Sequence, residues 1–415
     1  MSENKNLNKI IFYSTLGNIV EYYDVMIYVF ASTIVFNKLF FPQLDPTTAL
    51  LASIGTLGLA VIGKPIGSIL FGHFGDRYGR KSTLIASLIM SAVFSVAIGL
   101  LPTYQMIGIT ATVALITFKI LQGMAMCGEW SGASLMVYEN VPKEKRSFYT
   151  SFIQLGLPLG TALASISFTL LSLLPKESFF DWGWRVPFLL SFILGIISGI
   201  ARLVLVETDE FKQLQKNKQI SKFPLKDALK MPGTIFKAMG IRFSDIVVGQ
   251  LMLTASIAYL CNIKGVPRHD MIQAILYGNI VNALTIPLYG YIGDIIGNRK
   301  LFIYGCIISI LTAYPIFYLM DSGYYITAIL ISYGIGHSIL ASGLSCYIPQ
   351  MFNTNVRYTG SSLAVSTSVA IGAAVTPVLG TYVAINYGMK SMALLAIGAV
   401  SITLISVILT KETYK

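Results

Sequence analysis

The chain has 415 residues, 54% of them hydrophobic and only 12% charged, about half the roughly 25% charge of a soluble domain. That composition excludes a water-soluble globular protein, and no polar stretch is long enough to form a separate soluble domain. The net charge of +11 does not mark a nucleic-acid binder, because the basic residues fall in short segments between apolar runs and form no patch with interleaved aromatics.

Along the chain, only Met1 to Lys9 precede the first apolar run. That run carries Glu21 and Asp24 and has no small-residue cleavage site, so it is expected to stay as a membrane segment rather than to leave as a signal peptide. At about 20 apolar residues per span, twelve spans are predicted: 10–36, 49–73, 82–101, 106–138, 148–174, 186–206, 233–262, 271–293, 301–319, 323–349, 359–385 and 388–410. An even number puts both termini on one side of the membrane. Of the 30 lysines and arginines, 19 fall on the terminus side, among them Lys5, Lys9, Lys411 and Lys415, and 6 on the other. The positive-inside rule then predicts cytoplasmic termini and a cytoplasmic middle loop. Five basic residues remain within spans: Lys64, Lys119, Arg202, Lys237 and Arg242.

The chain repeats itself. Gly72, Gly75, Asp76 and Gly79, followed by Arg80 and Lys81, close the second span; Gly290, Gly293, Asp294 and Gly297, followed by Asn298 and Arg299, close the eighth, at a constant offset of 218 residues. Two parallel repeats joined by a charged loop are the simplest account, with substrate held between them near the bilayer midplane. This predicts an all-α integral membrane protein of two pseudo-symmetric six-helix bundles, 1–206 and 233–415, around a linking loop 207–232. The four cysteines have no CxxC spacing and no neighbouring histidine, so no metal site and no cofactor other than a coupling proton is expected. HExxH, GxSxG and GxxxxGK[ST] are all missing, which speaks against an enzyme.

The GxxxDxxGRK element after the second span resembles the hallmark of the major facilitator superfamily. Further segments resemble its metabolite:proton symporter branch, which carries shikimate, α-ketoglutarate, citrate, proline or betaine: Gly17-Asn18 with Glu21-Tyr22-Tyr23-Asp24, Gly128-Glu129-Trp130, Trp182 to Phe188, Glu207 to Phe211 and Val356 to Gly360. The resemblance implies the major facilitator fold, alternating access, an inner (plasma) membrane location and a monomer that meets only its small-molecule substrate, protons and lipid. Two positions depart from the branch, which usually has arginine where this chain has Lys64 and Lys119. A lysine offers a point charge in place of a planar fork for carboxylates. The chain ends at Lys415, so the coiled-coil tail of some osmosensing betaine carriers is not expected.

Ionisable residues inside a span cost about 2.5 to 3.5 kcal/mol each on insertion scales, so they are expected to face the interior and to act or pair there. In the first span Asn18, Glu21, Asp24 and Tyr28 share one helix face; in the fourth, Lys119, Gln122, Met126 and Glu129 do so. At about 1.5 Å per residue, Glu21 and Lys119 come to nearly the same depth. Glu21, Asp24, Lys119 and Glu129 are therefore candidate proton-coupling residues, with a Glu21/Asp24 to Lys119 exchange pair as the mechanism and a static ion pair as the alternative. Candidate substrate contacts are Tyr28, Lys64, Lys119, Gln122, Arg242, Asp245, Asn279 and Asn282. For Lys64 the alternative is an ammonium anchored by carbonyls that Pro65 frees. For Arg242 and Asp245 it is a self-satisfied i,i+3 pair, and for the two asparagines interhelical hydrogen bonding. His337 reads as a packing histidine before a proton relay. Gly72, Asp76, Arg77, Gly79, Arg80, Lys81, Glu139, Arg146, Asp294, Arg299 and Arg357 are expected to latch the terminus-side ends of the halves. The function expected is proton-coupled symport of a small polar organic acid, with a zwitterion symporter, a uniporter or exchanger, or a membrane sensor as alternatives.

Overall fold

A computed structural model describes residues 2–410. Of the basic residues that orient the chain, Lys411 and Lys415 lie outside the described residues, as do the side chains of Lys5 and Arg268. Among the described residues there is no strand, and twelve helices are long and apolar enough to cross a membrane. They are α1 (Leu7–Leu39), α2 (Thr48–Tyr78), α3 (Arg80–Gly99), α4 (Ile109–Asn140), α5 (Lys143–Leu171), α6 (Gly183–Leu203), α7 (Pro232–Cys261), α8 (Asp270–Ile296), α9 (Asn298–Asp321), α10 (Tyr325–Gln350), α11 (Thr354–Tyr387) and α12 (Met389–Ile408). Each overlaps one predicted span. Between α6 and α7 lie two short helices, Asp209–Lys216 and Pro224–Ala228.

Large side chains such as Leu51, Leu170, Leu284, Leu311 and Val378 are exposed all round the bundle, as a lipid-facing surface requires. Lipid tails are as apolar as leucine, so burial of apolar area does not drive these helices together; close packing and interhelical polar bonds do. In the first half α2 packs on α4, α3 on α4 and α6, and α1 on α5; in the second α7 packs on α11 and α12, and α9 on α12 and α10. The halves meet along two equivalent seams, α2 with α11 and α8 with α5, and α10 also reaches α5.

Among the described residues the buried apolar side chains pack into three clusters. One contains residues of both halves toward the terminus side, including Leu84, Trp130, Met136 and Val137 with Ile241, Phe302, Tyr347 and Phe352. The other two are confined to one half each: Phe36, Phe40, Trp184 and Phe188 in the first, Leu251, Tyr259, Phe317 and Tyr333 in the second. A common core thus joins the halves on the terminus side, and separate cores fill them on the opposite side. In the aromatic cluster of the first half Phe36 and Phe40 each meet Trp184 edge to face, with centroids 5.7 Å and 6.0 Å apart; each such pair contributes about 0.5 to 1.5 kcal/mol beyond its area.

The repeated sequence element makes the reversals from α2 to α3 and from α8 to α9. Gly79 and Gly297 hold φ of +116° and +88° at these breaks, a backbone region that glycine enters without a Cβ penalty.

Candidate functional site

The polar face of α1 is buried as its spacing predicts: Asn18, Glu21 and Asp24 are each at most 8% exposed. Their surroundings differ. Asn18 donates to the Ile153 carbonyl on α5 at 2.5 Å. Asp24 turns toward α3 and α6, where Ser95 donates to it at 2.7 Å, Ser91 at 3.5 Å, and Ser191 as well. Glu21 Oε2 has no hydrogen-bond partner among the described residues, and of the charges around Glu21, that of Lys64 on α2 acts most strongly.

The expected ion pair between these carboxylates and Lys119 does not form. Lys119 is buried on α4 with its ammonium 2.8 Å from Gln122 Oε1 and 3.9 Å from the centroid of the Tyr28 ring, and neither Glu21 nor Asp24 lies within 4 Å of it. The serines explain this: three hydroxyl donors replace water around Asp24, so no cation has to touch it. Tyr28 offers Lys119 its ring, while its hydroxyl is bonded to Thr56 Oγ1 at 2.7 Å. Glu129, grouped with Lys119 by helical spacing, is instead engaged by the guanidinium of Arg202 on α6, which grips both carboxylate oxygens. Arg202 also donates to the carbonyls of Tyr13, Ser14 and Leu84. It passes so close to α1 that a Cβ at Gly17 would stand 1.7 Å from its Nη2. This fork ties α1, α3, α4 and α6 into one unit.

In the second half, Arg242 and Asp245 on α7 form their i,i+3 pair at 3.0 Å, but the carboxylate is shared. Its other oxygen is 3.1 Å from Nε2 of His337 on α10, so this histidine belongs to a charged cluster. Nδ1 of the same ring faces Asn282 Oδ1 on α8 at 3.4 Å, and Ser338 donates to that amide oxygen at 2.7 Å. Asn279 is buried one turn before Asn282.

The two clusters meet between the halves. The Arg242 guanidinium stands over the Trp130 ring of α4 at 5.5 Å, and Tyr22 of α1, next to Glu21, is close enough to feel the charge of the same guanidinium. At and around this junction several buried donors have no partner among the described residues: Gln122 Nε2, Trp130 Nε1, Arg242 Nε and Asn282 Nδ2. Buried donors are ordinarily paired. The donors left open at and around this junction between the half-bundles are free to meet an acceptor.

On the terminus side, the two repeated aspartates hold the halves together. Asp76, ending α2, accepts from the backbone N–H groups of Tyr358 at 3.1 Å and Thr359 at 2.8 Å, and from the Thr359 hydroxyl at 2.8 Å. Asp294, ending α8, accepts from the N–H groups of Ser147 at 2.8 Å and Phe148 at 3.0 Å. Each is thus a helix cap supplied from the opposite half: the residues preceding the first α-helical turns of α5 and α11 give no side-chain cap of their own, and the first-turn N–H groups of a helix need an acceptor. The approach is close enough to need glycine, since a Cβ at Gly72 would stand 2.7 Å from Thr359 Cα and one at Gly75 2.3 Å from the Tyr358 ring. The buried Arg80 lies 3.2 Å from Asp76 and 3.5 Å from Glu139 and donates to the Thr354 carbonyl at 2.7 Å. Arg357 pairs with Glu139 at 3.0 Å and with Glu210 of the linking helix, which also takes Arg146 at 3.1 Å.

Three residues expected in this latch do not cross between the halves. Arg77 is exposed against the Tyr78 ring. Lys81 donates to the Leu203 carbonyl at the end of α6, and Arg299 to the Val407 and Ile408 carbonyls at the end of α12. These two cap helix C-termini, where free carbonyls and the macrodipole favour a cation. Sequence reasoning gave Arg202, Glu210 and the Asp24 serines no part in the site. Arg202 carried a signal, being a basic residue inside a span, but its partner lies 73 residues away.

Comparison with known proteins follows the same lines. A family model described as "Sugar (and other) transporter" matches residues 10–230, and one described as "Major Facilitator Superfamily" matches 251–415. The inner membrane metabolite transport protein YhjE of Escherichia coli is 37% identical over 98% of this chain and 94% of its own length. The shikimate transporter of E. coli is 32% identical, covering 92% and 90%, and the proline/betaine transporter of Salmonella typhimurium 31%, covering 91% and 77%. Among solved structures, the proton:xylose symporter XylE bound to 6-bromo-6-deoxy-D-glucose superposes with a TM-score of 0.79 at 14% identity, covering 98% of this chain and 95% of that one. At that identity the likeness concerns the fold.

Proposed function

We propose that this chain, which belongs to the Major Facilitator Superfamily and is a metabolite transporter of the inner membrane, carries a small organic acid together with protons by alternating access. The observation that carries this reading is the junction of Arg242, Gln122, Trp130 and Asn282. Its open donors outnumber the open carboxylate oxygen beside it, that of Glu21, and Lys64 and Lys119 add positive charge on the first half. A carboxylate with hydroxyl groups satisfies such a set, whereas a quaternary ammonium does not. The rings that would receive an ammonium, Tyr28 and Trp130, already face Lys119 and Arg242.

Glu21 is assigned the proton. A charged carboxylate with an unpartnered oxygen inside the membrane is costly, and protonation removes the cost, which lets the halves rock with substrate in place. Lys119 then serves the substrate anion, with Asp24 the strongest charge acting on it. With the termini cytoplasmic, as the positive-inside rule predicts, the latched side is the cytoplasmic one and substrate enters from the other.

Uptake into proteoliposomes under an imposed inward pH gradient tests the reading with shikimate, α-ketoglutarate, citrate, proline and glycine betaine. One of the acids is expected to accumulate, and a protonophore to abolish the accumulation; Glu21→Gln is expected to keep exchange of preloaded solute and lose accumulation. Accumulation of betaine alone overturns the substrate class. Accumulation unchanged in Glu21→Gln overturns the coupling role.

A further inference from the structure

The cluster of Arg242, Asp245 and His337 is built around one carboxylate shared by two bases. Asp245 gives one oxygen to Arg242 at 3.0 Å and the other to His337 at 3.1 Å, and all three side chains are at most 8% exposed. With His337 neutral, the charges of Arg242 and Asp245 cancel and the guanidinium is committed to its neighbour. With His337 protonated, Asp245 serves two cations, and the cluster carries a net positive charge that Arg242 presents toward Trp130 and Tyr22, where the halves meet.

The surroundings accommodate both states of the ring. Nδ1 faces the amide of Asn282, whose oxygen lies 3.4 Å away and whose nitrogen has no partner among the described residues. A half turn of that amide presents a donor to the neutral ring or an acceptor to the imidazolium. The ring lies flat against Tyr333, with centroids 5.4 Å apart and planes at 26°. It ends a π-helical segment, Ser332–His337, a local widening found mostly at functional sites. The charged and titratable groups facing it are Arg242 and Asp245 of α7 and Tyr333 of its own helix. From α8 comes the Asn282 amide, α9 places the Ser309 hydroxyl beside Gly336, and α1 reaches the cluster through Tyr22 and Glu21 on the far side of Arg242.

We propose that His337 is a positioning residue for the substrate anion: by its own protonation it decides how far Asp245 neutralises Arg242, and so grades the affinity of the second half for a carboxylate with pH. This rests on the reading that the solute is an organic acid, and it is separate from the proton carried by Glu21. Protonated His337 loosens Arg242 from Asp245, so anion affinity rises when the ring takes up its proton. By linkage, a bound anion favours the protonated ring.

The test is made without a pH gradient, so that no proton driving force enters, and is repeated with Glu21→Gln, which keeps exchange, so that protonation of Glu21 does not enter either. Counterflow of shikimate in proteoliposomes is measured at equal internal and external pH from about 5 to about 8, the range in which imidazoles titrate. The KM of the wild type is expected to rise about fivefold or more across that range. His337→Gln, which keeps a donor toward Asp245 without a titrating charge, is expected to hold KM at its high-pH value across the range. A KM in His337→Gln that follows pH as the wild type does overturns the proposal. A second readout needs no solute. The chain has three histidines, so in 15N-histidine-labelled protein the resonance missing from His337→Gln identifies residue 337. It is expected to titrate within that pH range, together with a change in Trp130 emission that Trp130→Phe isolates and Asp245→Asn removes. A ring that keeps one charge state throughout overturns the proposal, whatever the fate of the organic-acid reading. Failure of every acid to exchange, with the ring and Trp130 still titrating together, overturns the substrate class and leaves the switch standing.

Discussion

The two repeated loops make the same contact and reinforce it differently. Asp76 and Asp294 each cap a helix of the opposite half through two successive N–H groups. In the first copy, however, the residue four positions on is Arg80, buried against Asp76, Glu139 and the Thr354 carbonyl. In the second it is Asn298, which accepts from the Ser147 hydroxyl at 2.8 Å and donates to Cys346. One seam is closed by a buried charge network, the other by neutral hydrogen bonds around a single carboxylate. A shared sequence motif therefore fixes where the halves touch, and the residue beside the aspartate fixes how firmly.

Substitutions that unbalance the copies sharpen this comparison. The largest effect is expected from Arg80→Asn, which makes the first copy resemble the second. It leaves the buried Asp76 without a cation and Glu139 with Arg357 alone, a loss of about 3 to 5 kcal/mol. A thermal unfolding scan of the purified protein should show a lower midpoint, and spin-label distances across α2 and α11 should lengthen on the terminus side. An unchanged distance distribution would show that Arg80 braces only its own half.

Asp76→Asn ranks next, because Arg80 keeps Glu139. The loss is about 3 kcal/mol of charge-assisted bonding, read as a population opening on the terminus side. Asp294→Asn should open the other seam by about half that energy, since no arginine stands behind it. Equal openings in the two variants would refute the asymmetry. The smallest effect is expected from Glu210→Gln in the linking helix, where the carboxylate is 29% exposed. Its pairs with Arg146 and Arg357 contribute up to about 1 kcal/mol, and salt should erase the difference from wild type in the same distance measurement.

Much of the architecture was legible beforehand because membrane insertion leaves a one-dimensional record. The length of each apolar run, the bias of lysine and arginine to alternate loops, and the repeated glycines and aspartates can all be read without knowing what touches what. The ionisable residues within spans were legible for the same reason, since each must be turned inward. Their partners were not. Helical spacing grouped Glu129 with Lys119, yet Arg202 takes it; depth matched Lys119 with Glu21, yet Gln122 and Tyr28 hold the lysine while serines hold Asp24. His337 read as packing because its neighbours in sequence are Gly336 and Ser338, and Asp245 reaches it only across a helix interface.

The sequence by itself determined that this chain crosses the membrane twelve times as a doubled unit, and which charges had to be buried in doing so, because the cost of placing a group in hydrocarbon depends on that group alone. The tertiary structure decided which buried groups neutralise one another and which stay open between the halves. Contacts such as Glu129 with Arg202, Glu139 with Arg357 and Asp76 with Tyr358 join residues 73, 218 and 282 positions apart. Nothing local to either partner specifies such a pairing; it exists only once the helices have packed.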